Sequence, residues 1–306
     1  MPVFFRGVPH HVYRRSIDKG VIFYTVRDYL VCFTYYSTLA RKYDITVLGL
    51  SIMPDHLHSL LRTSSERKFT LFNDSSFRSF AREYNKSTGR SGRLFESTPG
   101  FAAKKTPKAT RTCIAYILNN QVEKRIAKNA QSARWNFLAY YKSSHPFSDP
   151  LRLDRASAPM RRAVGTVKYM RSKNLPIGYI IMNRLFNKLR NKEKQQLADF
   201  IITEYNCIDY EEMISYYGSY DTLVTAVNSN TGSEYDIQEV FDTSSDAEYA
   251  ALSAYVVKHL GLENVKKVAS LDADSKLDLA KKMVQIPGVK AKHIAKFLHM
   301  DLKTRG

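Results

Sequence analysis

The stretch Ile52-Met53-Pro54-Asp55-His56-Leu57-His58-Ser59-Leu60-Leu61 constrains this chain more than any other, because it sets two histidines one residue apart beside a turn. Pro54 and Asp55 read as a turn opening a strand. Side chains alternate between the faces of a strand, so both imidazoles leave one face while Leu57 enters the core. Their Cα atoms then stand about 6.6 Å apart, twice the rise per residue and within reach of one metal ion. A His-x-His pair alone equally fits two polar residues on a solvated sheet face, so it calls for a partner elsewhere.

Cys113-Ile114-Ala115-Tyr116-Ile117-Leu118-Asn119-Asn120-Gln121-Val122-Glu123-Lys124 supplies one. Thr110 or Thr112 can cap a helix here, and Ile114, Ile117, Leu118, Val122 and Ile126 recur at helical spacing on one apolar face. Tyr116 and Asn120 are four apart and therefore stand on the same side of that helix. An amide oxygen one turn from a phenol can complete a metal site while the phenol acts as nucleophile. A core tyrosine beside a surface asparagine fits the same spacing.

The two stretches together resemble the single-tyrosine transposases of the HUH endonuclease superfamily, most closely the REP-associated tyrosine transposase branch. That family sets Met-Pro-Asn/Asp-His-hydrophobe-His and two further hydrophobes on a strand, followed by a helix with Tyr-Ile-x-x-Asn. Met53 to Leu61 fit the strand apart from Ser59, and Tyr116 to Val122 fit the helix apart from Gln121, where proline is usual. His11-Val12-Tyr13-Arg14-Arg15, the Gly89-Arg90-Ser91-Gly92-Arg93-Leu94-Phe95 loop and Arg134 to Tyr140 agree in order. The resemblance spans about residues 8 to 145 and does not reach the second half of the chain.

It implies an α+β fold, a ferredoxin/RRM-like antiparallel sheet with helices (the HUH endonuclease fold). It also implies a single-stranded DNA endonuclease and strand transferase that recognises hairpin DNA. Tyr116 would be the nucleophile and would form a 5′-phosphotyrosine link that leaves a free 3′ hydroxyl. His56, His58 and Asn120 would hold a divalent ion, with Gln121 the rival third ligand. Mixed nitrogen and oxygen ligation suits Mg2+ or Mn2+. Relatives include dimers and single-subunit forms, so a homodimer is one expectation. Two other readings stay open: a non-cutting regulatory protein that binds hairpin DNA, and a metal-dependent phosphodiesterase without a covalent step.

Charge points to a polyanionic partner. The net charge is +18, and it is uneven: residues 1–205 hold 36 Lys and Arg against 14 Asp and Glu, while residues 206–306 hold 11 against 15. Basic character belongs to the front two thirds of the chain, where both motifs lie, as a phosphate-binding surface would need. Arg14 and Arg15 at the first strand, Lys86, Arg90 and Arg93 around the glycine-containing loop, and Lys104, Lys105, Lys108 and Arg111 before the Tyr116 helix are the candidate DNA contacts. No run is long enough to span a membrane, and the opening residues lack the pattern of a signal peptide, so a cytoplasmic location without membrane association is expected. Cys32, Cys113 and Cys207 are odd in number and far apart, which suggests buried thiols rather than a disulfide framework.

In order, the chain reads as a strand over Val8 to Arg15, a short strand at Gly20 to Phe23, a helix over Val26 to Arg41 and a strand over Ile45 to Ile52. The histidine strand follows, then a helix over Phe72 to Tyr84 and a last strand beginning near Phe95. That is the ferredoxin-like order. One domain is expected over 1–146 and a mainly helical C-terminal domain over 147–306. Its helices read as Val164 to Lys173, Ile177 to Leu189, Glu193 to Asn206, and Asp246 to Leu260 behind a Ser245 to Glu248 capping box. Residues 276–306 read as a truncated helix-turn-helix, with Lys276 to Gln285, Lys290 to Leu298 and a recognition segment from Leu302, or simply as a terminal helical hairpin.

Overall fold

Thr25 starts the first helix through a reciprocal cap, its hydroxyl accepting from the Asp28 N–H while the Asp28 carboxylate accepts from the Thr25 N–H at 2.8 Å. In the computed structural model, which describes residues 3–96, 100–229, 246–261 and 265–300, that helix is α1, Val26–Lys42. It lies between strands β1 (His10–Arg15) and β2 (Thr46–Ile52), which are followed by β3 (His56–Arg62), α2 (Glu66–Thr88) and β4 (Gly100–Ala103). The sheet order is β2-β3-β1-β4, antiparallel throughout, which is the ferredoxin-like α+β arrangement.

Register decides which side chains meet. Tyr13 pairs with His58 and Arg15 with His56, so these four, with His11, share one face. Val12, Leu57 and Leu61 take the other face and join the core beneath α1 and α2. Helix α3, Pro107–Glu123, covers the histidine face, where Ile114, Ile117 and Leu118 pack on Leu48 and Leu60. The register of β2 against β3 shifts between Val47 and Gly49. Leu48 falls at that irregularity and faces α3, whereas Val47 joins the α1/α2 core.

Three expectations are corrected. Gly20 to Phe23 is not a strand, because the Ile22 and Phe23 amides both donate to the Pro54 carbonyl instead of a ladder. The last strand begins at Gly100, and Phe95 makes only an isolated bridge with Ser16. The α3 cap is Thr106, whose hydroxyl accepts from the Ala109 N–H at 3.1 Å with Pro107 in the first turn, so neither Thr110 nor Thr112 caps it.

Helices continue after short 3₁₀ turns at 130–141: α4 (Ala158–Ser172), α5 (Tyr179–Phe186), α6 (Asn191–Tyr205), α7 (Tyr210–Ser215) and α8 (Tyr220–Asn228). Met160, Val164, Met182, Ile201 and Ile202 belong to the same core cluster as the α1/α2 face of the sheet, so apolar packing is continuous across residue 146. α9 (Glu248–Leu260), α10 (Ala273–Met283) and α11 (Ala291–Leu298) build a separate cluster around Leu252, Val256, Phe297 and Leu298. Ser245 and the segment from Leu302 lie outside the described residues. No helix among the described residues is long and apolar enough to cross a membrane.

The C-terminal cluster is seated on residues 20–24. His299 closes α11 in the left-handed conformation (φ 54°), and its Nε2 bonds the Val21 carbonyl at 2.7 Å. Burial depresses its pKa to about 4, so the ring is neutral. A methyl group on Gly20 would lie 2.8 Å from the His299 ring. Gly20→Ala is therefore expected to lower stability by about 1–3 kcal/mol, measured as a lowered urea midpoint.

Candidate active site

Alternation along β3 and its pairing with β1 bring four rings together. The His56 and His58 centroids are 4.9 Å apart and nearly perpendicular, and Tyr13 lies 5.5 Å from His56 and 4.8 Å from His58. His11 bonds His58 directly, Nε2 to Nδ1 at 3.0 Å. From the facing helix, the Tyr116 ring stands edge-on to both, 5.2 Å from His58 and 5.7 Å from His11. Helix α3 thus carries its phenol onto the sheet face that carries the imidazoles.

The imidazoles are held from behind. His56 Nδ1 bonds Asp55 Oδ1 at 2.5 Å, so its Nε2 is the atom left to meet a ligand. A carboxylate behind a histidine is the usual outer partner of a metal-bound imidazole. His56 Nε2 and Asn120 Oδ1 are both buried without a hydrogen-bond partner. Such atoms cost free energy unless something else satisfies them. An imidazole nitrogen and an amide oxygen are both donor types that a divalent cation accepts. Gln121, the rival ligand, turns its amide nitrogen to the Ile52 carbonyl at 3.3 Å. Among the described residues no group of three or more His, Cys, Asp or Glu could hold a metal ion.

The site is closed. Tyr116 is 5% exposed, Asn120 and His56 3% each and His58 0%. Burial first, then His58 and Lys104, hold the His11 pKa well below its ordinary value, so His11 is neutral.

The predicted basic residues do not share one surface. Arg15 lies on the site face with its guanidinium 5.0 Å from the Tyr13 ring. Arg14 lies on the opposite face, stacked over Phe77 at 5.1 Å, in a cleft that it shares with Arg78, Arg82 and Arg93. Burial lowers the Arg14 pKa despite Asp74 and Glu96. Lys86 is exposed, and Arg90 bonds Asn85 at 3.4 Å. Lys105, Lys108 and Arg111 are exposed around the start of α3, but Lys104 is 1% exposed, and its charge acts on His11 from the interior rather than from the surface.

Sequence reasoning left His11 unassigned and passed over Tyr13, Asp246 and Lys296. Asp246 sits at the head of α9, its N–H donating to the Lys124 carbonyl at the end of α3. Burial and then the Asp55 charge raise its pKa to about 6. A raised carboxyl pKa favours the folded state while the group is protonated, and that contribution is lost as pH rises through the folded value. Asp246→Asn is therefore expected to raise stability at pH 8 by about 1–3 kcal/mol, a gain that shrinks below pH 6 and vanishes below about pH 4. Thermal melts across that range test it.

No family model matches this chain, and no curated protein matches it. Among solved structures, the chain is similar to a REP-associated tyrosine transposase bound to a REP hairpin, at 14% identity and a TM-score of 0.36, over 43% of this chain and 76% of that one.

Proposed function

We propose that this protein is a single-stranded DNA endonuclease and strand transferase that recognises hairpin DNA and uses Tyr116 as its nucleophile. One observation supports the reading above all: the Tyr116 phenol lies against His58 and His11, with His56 alongside, although α3 and β3 are far apart in sequence. The motif resemblance assigns the same residues. The basic surplus of residues 1–205 suits a polyanionic strand.

The Tyr116 oxygen would attack the scissile phosphorus as the bond to the 3′ oxygen breaks. The product is a 5′-phosphotyrosine and a free 3′ hydroxyl, with the phenolic proton passing in net terms to the leaving oxygen. His11 would hold His58 from behind, its Nε2 facing His58 Nδ1 at 3.0 Å, so that His58 Nε2 is the nitrogen presented to the cation. His56, His58 and Asn120 would hold a divalent cation, Mg2+ or Mn2+, which when bound supplies positive charge against the phosphate oxygens. Another 3′ hydroxyl can then displace the tyrosine and rejoin strands, because the linkage retains the phosphodiester's free energy.

Burial of the whole constellation favours a second reading, a hairpin-DNA-binding regulator that does not cut. One gel separates the two. Labelled hairpin DNA incubated with protein and Mn2+ is expected to give a band shift that survives denaturant and disappears with protease. A shift that is lost in denaturant supports the regulator.

A further inference from the structure

Residues 20–24 join the C-terminal cluster to the turn that launches β3. Val21, 1% exposed, packs among Tyr249, Leu252, Val256 and Phe297. Its N–H donates to the Lys296 carbonyl at 3.1 Å, and the Tyr24 hydroxyl donates to the Phe297 carbonyl at 2.7 Å. On the other side, the Ile22 and Phe23 amides donate to the Pro54 carbonyl at 2.8 and 3.0 Å. The end of α11 is thereby fixed beside Asp55, and the Lys296 ammonium lies 3.9 Å from Asp55 Oδ2.

Asp55 is thus held through both oxygens. Oδ1 accepts from His56 Nδ1, and Oδ2 faces Lys296. A carboxylate with one partner can swing about its Cβ–Cγ bond, whereas one with a partner on each oxygen has its plane fixed. We propose that Lys296 is a positioning residue for His56: it anchors the far oxygen of Asp55, so that the near oxygen keeps His56 in the Nδ1–H form with Nε2 presented to the site. The C-terminal helices, remote in sequence from both motifs, then complete the site in cis. The consequence for DNA cleavage rests on the proposed endonuclease reading. The effect on His56 does not.

The test uses the full chain labelled with 15N-histidine, as wild type, Lys296→Met, Lys296→Arg, Asp55→Asn and the Asp55→Asn/Lys296→Met double variant. Lys296 is partly exposed, so its variants are expected to fold. His56 in the wild type is expected to show one tautomer, protonated at Nδ1. Lys296→Met should give mixed tautomers and about 10–100-fold weaker Mn2+ binding, the usual effect of losing an outer partner of a ligand. Lys296→Arg should restore both to within about threefold of wild type, and Lys296→Met should add nothing in the Asp55→Asn background. An unchanged His56 tautomer in Lys296→Met overturns the proposal. So does an equal further loss in the Asp55→Asn background, which would mean that Lys296 acts without Asp55. Because the tautomer is read without metal or DNA, a wild-type protein that cuts no DNA overturns the endonuclease reading and leaves this one to be judged on His56.

Discussion

Replacing Tyr116 with phenylalanine is expected to remove covalent capture of a hairpin oligonucleotide, by about six orders of magnitude and so to below detection, the scale on which removal of a nucleophile acts. Binding to the same hairpin should change less than about threefold. The two effects separate because the ring, which packs on His58 and His11, remains and only the oxygen is lost. Loss of one hydroxyl from a buried tyrosine costs about 0.5–1.5 kcal/mol of folding free energy, so Tyr116→Phe should stay folded. Tyr13 is the control. Its ring is as near to His58 as that of Tyr116, yet it projects from β1, inside the imidazole cluster rather than opposite it. Tyr13→Phe is expected to keep covalent capture.

Removing the imidazoles should act as strongly by another route. His56→Ala and His58→Ala are each expected to weaken Mn2+ binding about a hundredfold or more and to stop cleavage. The double variant should be little worse than either single one, because ligands of one ion act as a unit. Folding needs its own control, since these rings are interior. His58→Ala removes the partner of His11 Nε2, and His56→Ala removes the imidazole from Asp55 Oδ1. Each is expected to cost about 2–4 kcal/mol as cavity and unsatisfied buried polar atoms add. Glutamine at either position keeps much of the volume, and calorimetric titration with Mn2+ on folded His56→Gln and His58→Gln isolates the ligand effect.

Much of this arrangement is legible in the sequence because it follows from local periodicity. Pro54 and Asp55 mark the turn, and period-2 alternation sends His56 and His58 one way and Leu57 the other, as the register shows. Tyr116 and Asn120 share a helix face by their spacing alone. The helix boundary slips where two signals compete: Thr110 and Thr112 can both cap, but Thr106-Pro107 has the stronger start, a capping hydroxyl followed by proline in the first turn. Phe95 is apolar enough to open a strand, yet its backbone only bridges Ser16, and β1 takes Gly100–Ala103 as its neighbour.

What stays hidden is non-local. His11 and Tyr13 enter the site only because β1 pairs with β3 in a register that sets Tyr13 opposite His58, and nothing along β1 itself announces that pairing. The alternation of His11, Tyr13 and Arg15 against Val12 is the one available signal. In the sequence Asp246 reads as part of a capping box and Lys296 as part of a helix-turn-helix, and neither reading points to the histidine motif, so their approach to Lys124 and Asp55 comes from the packing of the C-terminal cluster on Val21. Lys104 reads as part of a surface run, and only the pairing of β4 with β1 turns it inward.

Proteolysis of the cross-linked complex followed by mass spectrometry tests the central claim most directly. Protein incubated with hairpin DNA and Mn2+, then digested with nuclease and trypsin, is expected to yield the α3 peptide with a 5′-nucleotide phosphate on Tyr116. An adduct on Tyr13 or on any other residue, or none where the wild type cleaves the strand, would contradict it.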